Sequence, residues 1–379
     1  MALIPGAFSL GAIPARGPPM LVRGVAVQVT GAVGPGFRGP FVALGYLLIQ
    51  LRRAITLGRA FSCCVRHAVR DSQATATQTD PRNPVRHAGF VFDALDHVIV
   101  AVRDLSDATR RYATLLSRSP SWRGEHPGWG TANALFRLDN TYLELISPHG
   151  DGPLGRTVAA QLDQRGDGPI GLAFASTDLD TDLDDVHARL VANGLEPPPV
   201  SPGRGIDTGT GMVRNWRSTL LPLTRTRGVL IIAIEHEAPD RLPEAAPVGS
   251  ADSVITGIDH AVVQTSDADA AIALYRDGLG LRLALDRSFP DWGMRLVFLR
   301  VGGVTVEIAQ PLRDAPLPPH TDQLWGLSWR VPDADAARAR LAAAGVDVSE
   351  VRPGRKPGTR VVSVKDGTCG VPTLLIEPG

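Results

Sequence analysis

Acidic side chains are absent from the first 70 residues of this 379-residue chain, a stretch that contains eight arginines. Because the formal net charge of the whole chain is zero, the remainder carries a charge of −8 that offsets this +8 segment. Proteins that bind nucleic acids present a basic surface to the phosphates, and an acidic body does not provide one. We therefore expect no nucleic-acid partner.

Cysteines and long apolar runs are also scarce. Three cysteines, two of them adjacent, are too few for a disulfide framework, so no oxidising compartment is needed and we expect a cytoplasmic protein. The most apolar run, residues 41–51, is much shorter than the ~20 residues that span a bilayer. In a signal peptide the basic residues precede the apolar run, whereas Arg52 and Arg53 follow it here. We expect no membrane partner.

Residues 1–90 are predicted to be a disordered or low-complexity basic leader and linker, because glycine and proline interrupt the first 40 and residues 71–90 are polar. An organelle transit peptide is one interpretation, and a membrane-surface helix near residues 41–60 is a weaker one. The chain has only two lysines against 37 arginines, which is typical of GC-rich coding DNA. We favour a third interpretation, an over-extended start that reads upstream DNA in frame.

An internal repeat organises the rest of the chain. Residues 95–148 align without gaps on residues 258–311, with thirteen identical positions that include His97 with His260 and Glu144 with Glu307. Each copy predicts a strand, a helix with Asp107 as the N-cap in the first copy, and two or three antiparallel strands. We call these copies modules A and A′.

A weaker pair of segments follows each copy. Residues 171–196 resemble residues 326–347, since both begin with Gly-Leu on a strand and continue into an amphipathic helix that ends at Gly194 or Gly345. Each segment leads to a final strand that ends in Ile-Glu. We call them modules B (residues 171–237) and B′ (residues 326–379). The chain therefore predicts four βαβββ modules in the order A, B, A′, B′.

This repeat resembles the vicinal-oxygen-chelate superfamily, which includes glyoxalase I, extradiol dioxygenases, methylmalonyl-CoA epimerase and bleomycin-resistance proteins. The sequences HPGWGTAN (126–133) and LEL (143–145) resemble bacterial glyoxalase-like domains in particular. The resemblance implies an α+β fold in which four βαβββ modules form two sheet cups. The predicted domains are residues 91–240 and 255–379.

The resemblance also implies a divalent metal in each cup, held by residues at the start of the first strand and in the last strand of each module. The first-strand positions are His97, Gly171, His260 and Gly326. The last-strand positions are Glu144 and Glu307 in the A modules, and about Ile232 and Leu374 in the B modules. Imidazole and carboxylate ligands suit Fe²⁺, Zn²⁺, Ni²⁺ or Mn²⁺.

The pairing of the modules decides how many ligands converge, and two arrangements are open. If A pairs with B and A′ with B′, each cup holds one His and one Glu, and needs water, substrate or donors such as His126, Glu235 or His236. If A pairs with A′, the site has two His and two Glu, as in glyoxalase I. A dioxygenase-like site is less favoured because Gly326 replaces a second His.

Further residues near the first site are candidates for substrate binding. His126 breaks the repeat, since its counterpart is a phenylalanine, and Thr131 and Asn133 are polar neighbours that either orient a substrate or close a turn. Trp129 and its counterpart Trp292 are predicted to be packing residues. The Gly-rich residues 203–211 are predicted to form a flexible loop or lid.

The leading functional hypothesis is a metal-dependent lyase, isomerase or dioxygenase that acts on a small oxygen-rich substrate. Its ligands would be His97, Glu144, His260 and Glu307, and a glutamate not bound to metal would be the general base. The alternatives are a metal-free protein that binds a small aromatic or drug-like molecule, and a pair of domains of which one is degenerate and stabilises the other. The expected partner is a small-molecule substrate, with a homodimer as an option.

Overall fold

The computed structural model describes residues 91–178, 180–238, 247–313 and 317–379, which all belong to one compact unit. The predictions for residues 1–90 lie outside the described residues. Two eight-stranded sheets with a few helices confirm the predicted α+β fold of four βαβββ modules.

The first half of this unit consists of modules A and B, joined by a helix that the sequence did not predict. Module A contains β1 (Ala94–Ala101), α1 (Leu105–Leu116), β2 (Trp122–His126), β3 (Thr131–Arg137) and β4 (Tyr142–Pro148). The joining helix is α2 (Pro153–Arg165). Module B contains β5 (Gly168–Ala175), α3 (Leu183–Ala192), β6 (Ser201–Asp207), β7 (Val213–Leu220) and β8 (Leu230–His236).

The second half repeats this order without a helix between its modules in residues 312–313 and 317–321. Module A′ contains β9 (Gly257–Thr265), α4 (Ala268–Ile272), β10 (Arg282–Phe289), β11 (Met294–Val301) and β12 (Val304–Pro311). Module B′ contains β13 (Asp322–Arg330), α5 (Ala334–Ala343), β14 (Arg352–Pro353), β15 (Arg360–Val364) and β16 (Thr373–Glu377). A π-helical turn, Ala273–Gly278, extends α4.

Aspartates begin the helices of both A modules. The side chain of Asp104 accepts a hydrogen bond from the N–H of Asp107 (2.8 Å), and Asp267 caps α4 in the same way. The prediction that Asp107 is the N-cap was therefore wrong, because Asp107 lies inside the first turn. Helices α3 and α5 end as predicted, at Gly194 (φ 77°) and Gly345 (φ 80°), which have the left-handed conformation that favours glycine.

The first sheet is a closed barrel with the strand order β1-β4-β3-β2-β6-β7-β8-β5. Module A joins module B at two seams, where β1 is antiparallel to β5 and β2 is antiparallel to β6. Of the two arrangements that the sequence left open, the structure therefore has A with B and A′ with B′. The two His and two Glu of the A modules do not form one set.

The prediction that the Gly-rich segment 203–211 is a flexible loop or lid was wrong. Strand β6 and its turn form a hairpin with β7, and this hairpin closes the barrel. The glycines of β6 make room for rings. A Cβ atom added at Gly203 would lie 2.1 Å from Nε1 of Trp216, and one at Gly205 would lie 3.4 Å from His126. Glycine is needed here for close packing within a strand, which local sequence reading mistook for a loop.

The second sheet is open, with the order β10-β11-β12-β9-β13-β16-β15-β14. Its edge strand β14 has only two residues, and β10 does not pair with it. In the first half, α2 packs its buried residues Val158 and Leu162 against Ile99 and Ile146, which face the barrel interior. The first half therefore has a closed, covered interior, whereas the second half has an exposed one.

The two halves share one hydrophobic core that contains residues of all four modules. Helix ends of one half are bound by side chains of the other. Asn193 after α3 donates a hydrogen bond to the carbonyl oxygen of Gly278 (2.9 Å), and Arg340 of α5 donates one to that of Leu115 (2.9 Å). The contacts are reciprocal, because each B-type helix binds the end of the A-type helix across the interface.

Candidate functional site

The closed barrel encloses a cavity that we call the first cup. Strands of both modules and α2 contribute to its wall. The lining residues include His97, Ile99, His126, Trp129, Asn133, Tyr142, Glu144, Ile146, Arg214, Trp216, Ile232 and His236.

His97 and Glu144 lie side by side in the first cup. The Nε2 atom of His97 is 3.2 Å from Oε2 of Glu144, and their side chains are only 5% and 9% exposed. Nδ1 of His97 is 2.6 Å from Oδ1 of Asp96, and its ring stacks on Tyr142 with ring centres 4.6 Å apart. The faces of β1 and β4 that carry this pair line one cup.

His126, Thr131 and Asn133 continue the polar wall beside this pair. Nδ1 of His126 is 2.9 Å from Oγ1 of Thr131, and its ring meets Trp216 edge-on. Nδ2 of Asn133 donates to Oε1 of Glu144 (2.7 Å) and lies 3.2 Å from Nε2 of His126. The structure thus brings the three candidate substrate-binding residues together with His97 and Glu144.

Burial and pairing set the charges in the first cup. Burial alone disfavours the charged form of His97, but hydrogen bonds to Asp96 and Glu144 outweigh it and raise the pKa of His97 to about 9. Burial opposes ionisation of Glu144 as well, yet the contact with His97 leaves its pKa below the usual value. Burial lowers the pKa of His126. Near neutral pH, His97 and Glu144 therefore form an ion pair beside an uncharged His126.

Asp96 and His236 are site residues that the sequence did not assign, although His236 was named as an optional donor. The carboxylate of Asp96 contacts His97 on one side and Nε2 of His236 (3.2 Å) on the other. Asp96 is also one of the thirteen positions that are identical in the repeat. That identity was the available signal for it. His236 has no such identity in the repeat, and its place beside Asp96 becomes clear only when β8 closes the barrel.

The turn that carries His126 is held against α2 by glycines. The N–H of Gly155 donates to the carbonyl oxygen of Trp129 (2.9 Å), and a Cβ atom added at Gly155 would lie 2.1 Å from the carbonyl oxygen of Gly130. Gly130 itself has φ 70°. Any side chain at Gly155 would push the helix away from this turn. The motif HPGWG therefore positions His126 as well as lining the cup.

Module B has neither a histidine nor a carboxylate at its two implied ligand positions, although its last strand brings His236 to the wall of the first cup. Gly171 pairs with Leu230 in β8 as His97 pairs with Tyr142 in β4, and a Cβ atom added at Gly171 would lie 2.8 Å from the Cβ of Leu230. Ile232 lines the cup at the position of the missing carboxylate. The space that would hold a second histidine and glutamate is filled by apolar side chains.

The second cup, which is the face of the open sheet that carries His260, repeats this pair. Nε2 of His260 is 3.3 Å from Oε2 of Glu307, and Nδ1 is 3.0 Å from Oδ1 of Asp259. Here Oγ of Ser328 also lies 2.7 Å from Nε2 of His260. Burial raises the pKa of Glu307, unlike that of Glu144. The two cups therefore share a geometry but differ in enclosure and in the direction in which their surroundings shift the pKa of the glutamate.

Neither tryptophan of the repeat is a core residue, so their prediction as packing residues was wrong. Trp129 lines the first cup. Trp292 is 38% exposed and stacks on Phe289 (4.4 Å between ring centres), with the guanidinium of Arg355 4.0 Å from its own ring centre. The tryptophan recurs in both copies because each is placed at the rim of a cup.

The His97–Glu144 pair fits one edge of a metal site. Two ligands at ~2.1 Å from one metal are ~3.0–3.4 Å apart for ordinary coordination angles, and the measured distance is 3.2 Å. Asp96 behind Nδ1 is the outer partner that commonly orients a ligating histidine. No group of three or more His, Cys, Asp or Glu converges in the described residues. The protein thus provides two donors, and further ligands must come from Asn133, water or substrate.

Comparison with known families agrees with this architecture. Residues 95–254 match the model of the glyoxalase-like domain, and residues 259–362 match that of the glyoxalase/bleomycin resistance protein/dioxygenase superfamily. Together the two models match more than half of the chain. The chain belongs to the vicinal-oxygen-chelate superfamily. The two models meet between the two sheets, so each half is a vicinal-oxygen-chelate domain.

Individual vicinal-oxygen-chelate proteins resemble parts of the chain. An ethylmalonyl-CoA/methylmalonyl-CoA epimerase of Cereibacter sphaeroides is 27% identical over 131 residues, 33% of this chain and 90% of the epimerase. A mutant of 4-hydroxymandelate synthase from Streptomyces coelicolor superposes with a TM-score of 0.52 at 14% identity, covering 75% of this chain and 92% of that one. The Mn(II)-bound glyoxalase of Novosphingobium aromaticivorans superposes with a TM-score of 0.50 at 16% identity, and the match covers 76% of this chain and 83% of the glyoxalase. The last two similarities concern the fold alone.

Hydropathy adds one negative finding about the described part of the chain. None of its helices is both long enough and apolar enough to cross a membrane.

Proposed function

We propose that the first cup is the site of a divalent-metal-dependent enzyme that acts on a small oxygen-rich substrate. The observation that carries this proposal is the buried His97–Glu144 pair at 3.2 Å, with Asp96 behind the histidine. His97 and Glu144 would hold the metal. When bound, it would polarise substrate oxygens and stabilise negative charge on them.

The protein's own groups bind and orient the substrate. Asn133 holds Oε1 of Glu144 and thereby directs Oε2 toward His97. His126 is uncharged and fixed by Thr131 at Nδ1 and by the Asn133 amide at Nε2, so it orients the polar wall of the cup. A glutamate carboxylate that is not bound to metal would act as a base, the role that the sequence suggested for Glu144 and Glu307. The cover of α2 keeps bulk water out.

A metal-free binding protein is the competing function, because only two potential ligands converge in each cup of the described chain. In that case the ion pair of His97 with Glu144 is complete without metal, and the apolar wall around it binds the ligand. The aromatic rim of the second cup, Phe289 and Trp292, suits a flat ligand in the same way.

Metal content separates the two functions. The full-length chain is stripped of metal, reconstituted separately with Fe²⁺, Zn²⁺, Ni²⁺ and Mn²⁺, desalted and measured by mass spectrometry. We expect one equivalent of metal in the wild type and in His260→Ala, and none in His97→Ala. His149→Ala is the matched control, since His149 is 59% exposed and lies outside the cup.

Two other results are informative. A second equivalent that His260→Ala removes would assign a metal to the second cup, as the sequence predicted for His260 and Glu307. If the wild type retains no metal from any of the four solutions, the metalloenzyme proposal fails and the binding protein remains.

A further inference from the structure

Arg214 is a buried cation in the first cup that neither the fold nor the proposed metal site uses. It is 9% exposed and lines the cavity. The alternation of side chains along β7 places it there, because Arg214, Trp216, Ser218 and Leu220 are successive inward-facing residues of that strand. The arginine therefore faces the same enclosed space as His97 and Glu144.

The charge of Arg214 is not neutralised by the protein. Among the residues that the structure describes, the side chain of Arg214 forms no ion pair or hydrogen bond, and its guanidinium only approaches the ring of Trp122, 5.5 Å from the ring centre. A cation–π contact of this kind contributes ~1 kcal/mol. Burial of an unpaired charge costs several times more, so such a group normally has a partner.

The acidic groups of the first cup are already engaged elsewhere. The carboxylate of Glu144 is bound by His97 and Asn133, and that of Asp96 by His97 and His236. By contrast, the buried Arg227 of the loop after β7 is paired with Asp322. Arg214 is thus left with an unmatched positive charge that points to an anion from outside the chain.

Asn133, in the wall of the same cup, also has an unmatched atom. Oδ1 of Asn133 is buried and has no hydrogen-bond partner in the described residues. Its amide cannot be reversed without cost, since Nδ2 donates to Oε1 of Glu144 and a reversed amide would place oxygen against that carboxylate. Because this oxygen is shielded from the cavity itself, Arg214 is the unmatched group that a bound molecule can reach.

We propose that the first cup binds a small carboxylic acid, whose carboxylate pairs with Arg214. This inference rests on the proposed function only in that the cup is the substrate site, and it names the class of substrate. A guanidinium binds a carboxylate through two parallel hydrogen bonds, which gives both affinity and orientation.

Binding to the metal-free, full-length chain tests this inference independently of metal. Lactate supplies a carboxylate and a hydroxyl, lactamide is its neutral counterpart of equal shape, and propanoate lacks the hydroxyl. Titrations are followed by calorimetry and by the fluorescence of Trp129 and Trp216, which line the cup. We expect lactate and propanoate each to bind at least tenfold more tightly than lactamide, because both carry the carboxylate.

Variants test the role of the arginine. Arg214→Gln removes the charge and should weaken lactate binding by about ten- to a hundredfold, because a hydrogen bond to a charged group is lost. Arg214→Lys keeps the positive charge but cannot form two parallel hydrogen bonds to a carboxylate. Its affinity for lactate should therefore lie between those of the wild type and Arg214→Gln. Arg204→Gln is the matched control, since Arg204 is exposed on the neighbouring strand β6 and should leave binding unchanged.

The wild-type comparison needs no variant, so a poorly folded Arg214→Gln does not prevent a decision. Equal binding of lactate and lactamide, no binding of either, or unchanged lactate binding by a folded Arg214→Gln would each overturn the inference. Inorganic phosphate is titrated in parallel. Binding of phosphate without binding of lactate would mean that the ligand of Arg214 is a phosphate and not a carboxylate. None of these results alters the metal measurement, so the two proposals fail separately.

Discussion

His97 and Glu144 are in contact inside a closed barrel, with Nε2 of the histidine 3.2 Å from Oε2 of the glutamate. Nδ1 of the same ring is bound by Asp96. Without metal, both nitrogens of His97 therefore face carboxylates, which favours the doubly protonated ring. A metal bound between His97 and Glu144 would have to displace the proton on Nε2.

This contact predicts a pH dependence of the stability of the metal-free chain. The pKa of His97 is 6.5 in the unfolded chain and about 9 in the fold, so its stabilisation is complete below pH 6.5 and is lost as the pH rises through about 9. We expect the free energy of unfolding, from urea titrations, to fall by about 1–3 kcal/mol between pH 7 and 9.5.

His97→Gln should abolish most of this fall, whereas His187→Gln, a change at a partly buried histidine outside the first cup, should retain it. If the free energy of unfolding falls equally with pH in the wild type and in His97→Gln, the contacts of His97 with Asp96 and Glu144 are contradicted. The comparison between variants removes contributions from other groups that titrate at alkaline pH.

The repeat made the fold and the two His–Glu pairs predictable from the sequence. Identical residues at a constant offset locate the same strand positions twice, and strand parity then places His97 and Glu144 on one face. Local patterns sufficed for this part, because the ligand positions are set by neighbouring strands of one module. The same positional logic identified Gly171 and Ile232 as the empty positions of module B.

The rest depends on contacts between modules, which no local pattern encodes. Trp216 and Arg214 enter the first cup only because β6 closes the barrel, and the glycines of β6 look like a loop in the sequence. Helix α2 has no counterpart in the repeat, so nothing indicated that the first cup is covered while the second is open. The charge of Arg214 gains meaning only when its surroundings are known.

The packing of α2 predicts that a single methyl group opens the first cup. In Gly155→Ala the new Cβ would lie 2.1 Å from the carbonyl oxygen of Gly130, so helix and turn must separate. We expect a loss of about 1–3 kcal/mol in the free energy of unfolding, together with a change in the fluorescence of Trp129. Gly128→Ala is the matched control, because a Cβ atom at Gly128 would meet nothing within 4 Å. Equal stability of the two variants would refute the close approach.

The ion pair between the halves predicts a different pattern of stability. Asp322 is fully buried in β13, and its Oδ2 accepts a hydrogen bond from Nε of Arg227 in the first half (3.0 Å). Arg227→Met leaves this carboxylate without a cation, so we expect a loss of about 3–5 kcal/mol in urea unfolding. The double variant Arg227→Met/Asp322→Leu should recover most of the lost free energy of unfolding, because it no longer buries an unpaired carboxylate.

Arg225→Met serves as the control for that cycle, since Arg225 pairs with Glu196 at the exposed surface and should contribute less than about 1 kcal/mol. If Arg227→Met costs no more than Arg225→Met, the buried pair does not hold the halves together.

The position of Ile232 predicts how the first cup would respond to a third ligand. Ile232 stands where module A has Glu144, and it lines the same cavity on the opposite side of the barrel seam. Ile232→Glu should therefore add a carboxylate to the edge formed by His97 and Glu144. We expect metal affinity to rise by about tenfold or more, since outer partners alone change it by that factor. Ile232→Gln, of equal size but uncharged, should raise it less.

Affinities are measured by competition with a chelating dye, after circular dichroism has shown that both variants are folded. An unchanged affinity in folded Ile232→Glu would mean that metal does not bind between these strands.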